Sequence, residues 1–471
     1  MAGVRAMARG RLRMLSIALA TGVAVAPGLV FGATHAGATA AAAAAGCSDV
    51  TGIAPGATPV TSAISAAGEV DCFTFNAQTH NRVRVRVVTT SGTLVPSAQL
   101  FTPKGTPLCA AATTVDSTCG VANKGTQTLA IKDASGTNTG GYTVSVQILQ
   151  KPLGCTPLKF GSPSNSGSIS VPGTADCYTF KAGNAARLLT RIVATSGPIS
   201  PTVEVVNGNG TSVCGPDATL EQSCRLITAG PETIFVRDSA GPNPGAYTLY
   251  AQLDHTKTCA TVKLGKALQT TIAAAGETDC YRVAAVQGDN LRVAVAATSG
   301  ALQTQTDVIK PNGTTLCTTS TATEQTCNTT DDGVHTILVS DAAGTKTGGY
   351  TIYVQVLNNP VACATATYGQ HNQYTNGTIA FPGAQNCYVF NGMAGTGAHL
   401  KVLSTGGTWT PKFEILKPNG NQFDPRYCDV NATDIRCVLG ITGQYLIIVR
   451  DADGVNTGTY KYSLTERTFT G

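Results

Sequence analysis

Residues 69–87 read Glu69-Val70-Asp71-Cys72-Phe73-Thr74-Phe75-Asn76, a short polar break, then Arg82-Val83-Arg84-Val85-Arg86-Val87. Both halves alternate with period two, the signature of strands whose successive side chains point to opposite faces. In the first half Phe73 and Phe75 share one face, while Cys72 and Thr74 share the other. In the second, the valines face inward and Arg82, Arg84 and Arg86 face outward, which predicts a solvated basic stripe. The first half returns three times, as Cys177-Tyr178-Thr179-Phe180, Cys280-Tyr281-Arg282-Val283 and Cys387-Tyr388-Val389-Phe390.

Working outward, the whole neighbourhood repeats. The 16 cysteines fall into four groups of four: Cys47, Cys72, Cys109 and Cys119; Cys155, Cys177, Cys214 and Cys224; Cys259, Cys280, Cys317 and Cys327; Cys363, Cys387, Cys428 and Cys437. A period of roughly a hundred residues means one domain written four times. Four cysteines per copy, none left over, imply a compartment where thiols oxidise. Each copy also carries a Pro/Gly turn before its third cysteine and a Gly-led strand after its fourth. A loop of form D-x-x-G-x-x-x-G-x-Y follows, at Asp133 to Tyr142, Asp238 to Tyr247, Asp341 to Tyr350 and Asp451 to Tyr460. No window has a helical period. Seven or eight short strands with frequent turns describe an antiparallel β-sandwich.

The expected organisation is a leader and Ala-rich spacer over 1–46, then repeats over 47–154, 155–258, 259–362 and 363–471. The leader has Arg5, Arg9, Arg11 and Arg13 before an apolar stretch and small-residue cleavage sites, as a secretion signal does. Without its four arginines the formal charge of +5 becomes +1. That balance argues against nucleic acid as a partner. No later stretch is long and apolar enough to span a bilayer, so the mature chain is expected to lack a transmembrane segment. Four cysteines allow three pairings. The expected one joins first to second and third to fourth in every copy: Cys47–Cys72, Cys109–Cys119, Cys155–Cys177, Cys214–Cys224, Cys259–Cys280, Cys317–Cys327, Cys363–Cys387 and Cys428–Cys437. The third and fourth cysteines lie within reach of a hairpin.

The order G-x-x-D-C-[YF]-x-F, Pro/Gly turn, then G-x-x-x-[LIV]-x-[VI]-x-D and G-x-Y-x-[LIV] resembles the bacterial pre-peptidase C-terminal domain, four times over. The resemblance implies jelly-roll-like β-sandwiches, a module usually appended to secreted proteases that aids secretion or substrate adhesion. The fold class expected is therefore all-β, four tandem antiparallel β-sandwiches, each with two disulfides. Related collagen-binding modules hold calcium through an N-terminal acidic cluster, which this chain does not show.

Asp133, Asp238, Asp341 and Asp451 are the candidates for calcium. Their other reading is structural: carboxylates accepting backbone N–H bonds to set the loop. Tyr142, Tyr247, Tyr350 and Tyr460 read as core residues with a tethered hydroxyl. Asp71, Asp176 and Asp279 precede the second cysteine but give way to Asn386 in copy four, which favours a turn or strand-end role over catalysis. No catalytic residue, cofactor or metal-ligand motif is evident: H-E-x-x-H, G-x-S-x-G, C-x-x-C and phosphate loops are absent. The expected function is a non-catalytic secreted or cell-wall-associated protein that binds an extracellular glycan or protein polymer multivalently. The alternative is a structural stalk or spacer. A third reading is a hydrolase in copy four, which carries His371, His399 and Trp409.

Overall fold

The computed structural model describes residues 45–47, 49–161, 165–253, 259–320, 323–370, 373–430 and 433–468. The leader over 1–44, the linker over 254–258, and His371 lie outside the described residues.

Copy one sets the pattern. Its strands are β1 (Val50–Gly52), β2 (Val60–Ile64), β3 (Val70–Ala77), β4 (Arg82–Thr89), β5 (Pro96–Phe101), β6 (Asp116–Gly120), β7 (Gly125–Asp133) and β8 (Gly140–Ile148). A front sheet runs β1-β3-β7-β5 and a back sheet β2-β8-β4-β6. Successive strands alternate between the two sheets, so each turn crosses the core. All pairings are antiparallel except β1 beside β3. The alternation puts Phe73, Phe75, Val83, Val85, Val87, Leu129, Ile131, Val144 and Val146 between the sheets as one core. Copies two, three and four repeat the two-sheet arrangement, each with a core of its own. The chain is thus all-β, built of four tandem sandwiches. Among the described residues no helix is long and apolar enough to cross a membrane.

The disulfides join Cys47 to Cys72, Cys155 to Cys177, Cys259 to Cys280 and Cys363 to Cys387, tying the segment that leads into each copy to its β3-type strand. The others join Cys109 to Cys119, Cys214 to Cys224, Cys317 to Cys327 and Cys428 to Cys437. The hairpin expected for this second set exists only in copy four, where Cys428 and Cys437 are directly paired neighbours. In copy two, Cys214 sits on an edge strand of the front sheet (Ser212–Asp217), and Cys224 on the edge of the back sheet (Glu221–Arg225). Copy three does the same with Thr315–Ser320 and Glu324–Asn328. There the bond ties one sheet to the other across the open side of the sandwich.

Replacing Cys214 and Cys224 together by serine is therefore expected to cost copy two about 2–4 kcal/mol. Non-reducing calorimetry of the full chain reads this as one transition moving down; an unmoved transition would mean that the apolar core alone holds the two sheets together.

Candidate functional site

The four loop aspartates are buried and fully engaged. Asp133 accepts N–H bonds from Val95, Ser135, Thr137 and Asn138 at 3.1 Å each, and the Ser135 hydroxyl at 2.5 Å. The Ser135 hydroxyl, then these amides, hold its carboxyl well below the usual range despite burial. Asp238 accepts from Ser200, Gly241 and Asn243. Asp341 accepts from Gln303, Thr345 and Lys346, and Asp451 from Thr410, Val455 and Asn456. Each carboxylate so pins the start of the β5-type strand to the loop ahead of the last strand. Its oxygens face N–H donors, whereas calcium takes six to eight oxygen ligands. Among the described residues no group of three or more His, Cys, Asp or Glu is placed to hold a metal ion.

The recurrent tyrosines meet the aspartates that precede the second cysteine. Tyr142 donates to Asp71 at 2.5 Å, Tyr247 to Asp176 at 2.7 Å and Tyr350 to Asp279 at 2.6 Å. In copy four Asn386 donates to the Tyr460 hydroxyl at 2.7 Å. In copies two to four a second tyrosine joins: Tyr178, Tyr281 and Tyr388 lie 2.9, 2.5 and 2.6 Å from the first hydroxyl. A strand-end role for these aspartates misses this buried pair. The signal for it lay in the constant separation of 71 residues. Burial pushes the Asp279 carboxyl up to about 6, partly offset by the Tyr350 hydroxyl, and pushes Asp176 up as well.

The basic stripe is not solvated. Arg82 is exposed, but Arg84 and Arg86 are buried against copy two. Strict alternation correctly puts them on the outer face of the back sheet; that face is then covered by the front sheet of the next copy. Arg84 reaches Glu204 at 2.7 Å and lies over the Phe235 ring. Arg86 pairs with Asp116 at 2.6 Å and donates to the Asp238 carbonyl at 2.7 Å. Arg237 from copy two reaches Asp116 at 3.0 Å and Glu204 at 2.8 Å. Burial raises the Glu204 carboxyl, but Arg84 and Arg237 outweigh it and leave it lowered.

The other joints use the same faces. Arg191 pairs with Glu221 and donates to the Asp341 carbonyl of copy three. Arg292 pairs with Glu414 of copy four, while Arg450 reaches Glu414 at 2.7 Å and Glu324 at 2.5 Å. Two glycines of each later copy seat on the copy before it. A Cβ on Gly173, Gly276 or Gly383 would lie 2.8, 2.9 or 2.4 Å from Thr143, Thr248 or Thr351. One on Gly241, Gly344 or Gly454 would lie 2.8, 2.6 or 2.9 Å from Val88, Val193 or Ala296. All six have positive φ. The copy-one counterparts Gly68 and Gly136 meet nothing within 4 Å among the described residues.

The joints differ in how well they fill. The first encloses about 380 Å³, lined by residues that include Arg84, Arg86, Asp116, Ser145, Asp176 and Phe235. A cavity of about 50 Å³ lies at the second and one of about 20 Å³ at the third. Two of the three copy-four residues fall within the described residues. His399 pairs with Asp434 at 2.5 Å on the back sheet, whereas Trp409 is packed in the core against Tyr460.

No family model matches the chain, and no curated protein matches it. Among solved structures, the CUB1-EGF-CUB2 region of human MASP-1/3 aligns at 10% identity and TM-score 0.13, over 41% of this chain and 99% of that one. A triple jelly-roll turret protein of an archaeal virus aligns at 10% identity and TM-score 0.13, over 64% and 83%. Tripeptidyl peptidase 2 aligns at 7% identity and TM-score 0.15, over 67% and 33%.

The raised carboxyl of Asp279 sets a pH dependence. An unfolded aspartate titrates near about 3.9, so between pH 4 and about 6 the folded state binds a proton that the unfolded state has released. The contribution of Asp279 is present below that window and is lost as pH rises through it. Asp279→Asn, which installs the amide that copy four carries at this place, should remove that decline. Thermal unfolding from pH 4 to 7 checks it: a variant with the wild-type slope places the titration elsewhere.

Proposed function

We propose that this chain is a non-catalytic extracellular spacer, in which four disulfide-stapled sandwiches are braced against one another so that the ends are held at a set separation. One observation carries the reading. The feature that recurs from copy to copy is the joint, with its seated glycines and buried charges, and the recurrent polar groups within each copy are consumed internally. Eight disulfides suit an oxidising compartment. The motif order shared with pre-peptidase C-terminal domains supports the same picture of modules that position or attach something outside the cell, the cell wall being one such place.

The multivalent-binder reading has one observation in its favour. Copy four exposes Tyr427 beside Arg426, bordering a cavity of about 280 Å³. A tyrosine with an adjacent guanidinium suits a glycan or an acidic protein segment. Pull-down of the full chain on cell wall, chitin and collagen, with and without Tyr427→Ala, separates the readings: a spacer is retained on none of them.

The joints give the spacer reading its own test. Glu414→Ala leaves Arg292 and Arg450 buried without their shared carboxylate. Removing one partner of such a network costs about 3–5 kcal/mol. Copy four should then melt apart from the rest in calorimetry, and solution scattering should show a looser chain. A wild-type melting profile and scattering curve would show that the charged joint does not set the spacing.

A further inference from the structure

The first joint departs from the other two at one position. In the back sheet Arg86 is paired across strands with Ser145, Arg191 with Tyr250, and Ala294 with Tyr353. Tyr250 and Tyr353 are fully buried, 0% and 1% exposed, and their rings help to fill the second and third joints. Serine at position 145 omits that ring, and the cavity of about 380 Å³ lies where it would stand. Gly167 occupies the place that Ser62 and Thr270 take in copies one and three, each opposite the recurrent tyrosine, and the Tyr247 hydroxyl fills the space a side chain there would take. Asp71 accepts a bond from the Ser62 hydroxyl, whereas Gly167 has none to offer Asp176, which also lines the cavity.

We infer that this cavity is a carbohydrate site that takes one neutral, hydroxyl-rich six-membered ring per chain. Its size falls within the range of small-molecule sites, about 300–1,000 Å³, and it lies between two modules, where such sites are common. Its lining is mixed. Arg86, Asp116, Ser145, Gln147, Thr174 and Asp176 are among its polar residues. Phe235 is buried beneath the Arg84 guanidinium at the edge of the cavity. Arg84, Arg86 and Arg237 are balanced by Asp116, Asp176 and Glu204, so the joint carries no excess charge for an ion to neutralise. An anion would meet Asp116 and Asp176, and a cation Arg84 and Arg86. An apolar molecule would leave donors and acceptors unpaired at the cost of their desolvation. A sugar hydroxyl both donates and accepts. The source is either a free monosaccharide or the terminal residue of a glycan.

The test is titration calorimetry of the full secreted chain with glucose, galactose, mannose and N-acetylglucosamine, and with their linked oligomers. The expected result is one site per chain with a dissociation constant on the order of 1 mM. Equal affinity for monomer and oligomer marks a free sugar, and tighter oligomer binding marks a chain end; either supports the site. Ser145→Tyr installs the residue of joints two and three, and joint two shows that tyrosine is tolerated beside an arginine. This variant should fold, melt no lower than wild type and bind at least about 10-fold more weakly, while Ser145→Ala binds as wild type. If Ser145→Tyr fails to fold, Thr174→Val decides, with an expected loss of several-fold. Absence of binding by every neutral sugar, four sites per chain, undiminished binding by the deciding variant, or tighter binding of glucuronate than of glucose would each overturn the inference.

Discussion

The close approach of one sandwich to the next is the constraint on which the rest depends. Two glycine-bearing turns of each later copy come within a methyl group's reach of the preceding back sheet, and any side chain there would force the sheets apart. In copies one to three the two turns are hydrogen-bonded to each other: Gly68 to Gly136 at 3.0 Å, Gly173 to Gly241 at 3.1 Å and Gly276 to Gly344 at 2.7 Å. The loop aspartate holds the second turn from within. Burial of Arg84, Arg86, Arg191 and Arg292 follows from this contact, because a face that would otherwise be wet is covered by the next module. A buried arginine without partners is too costly to keep, so each joint also brings carboxylates or a loop carbonyl to meet it.

Copy four differs at the positions that make this contact. Thr143, Thr248 and Thr351 receive the incoming glycine, but the equivalent residue of copy four is Lys461, whose ammonium lies 4.7 Å from the Tyr374 ring centroid. Lys401 stands where Arg86 and Arg191 stand, and His399 pairs with Asp434 within its own copy. Of the copy-four residues that stand out in the sequence, His399 is paired on this outer face and Trp409 is packed in the core.

Much of a single copy was legible in the linear pattern. Period-two alternation around Cys72 and Arg84 gives strands and separates inner from outer faces, because strand geometry alone dictates it. The loop aspartates and recurrent tyrosines stand out by repetition. The partnership of Tyr247 with Asp176 was less visible, since it joins residues far apart in the chain whose meeting depends on the order of strands. The arginine stripe misled for a related reason: alternation reports which face a side chain takes, and says nothing of what covers that face.

What the sequence by itself determined is the module: four copies, all strand, with cysteines matched in number and a turn chemistry of glycine and aspartate. These follow from local rules of spacing and backbone geometry. Only the tertiary structure decided that the outer faces are shared between copies, that two of the disulfides bridge sheet to sheet, and that a serine for a tyrosine opens a chamber at the first joint. Each of those depends on which surfaces meet in space, and the alternation along one strand is identical whether its outer face meets water or another sheet.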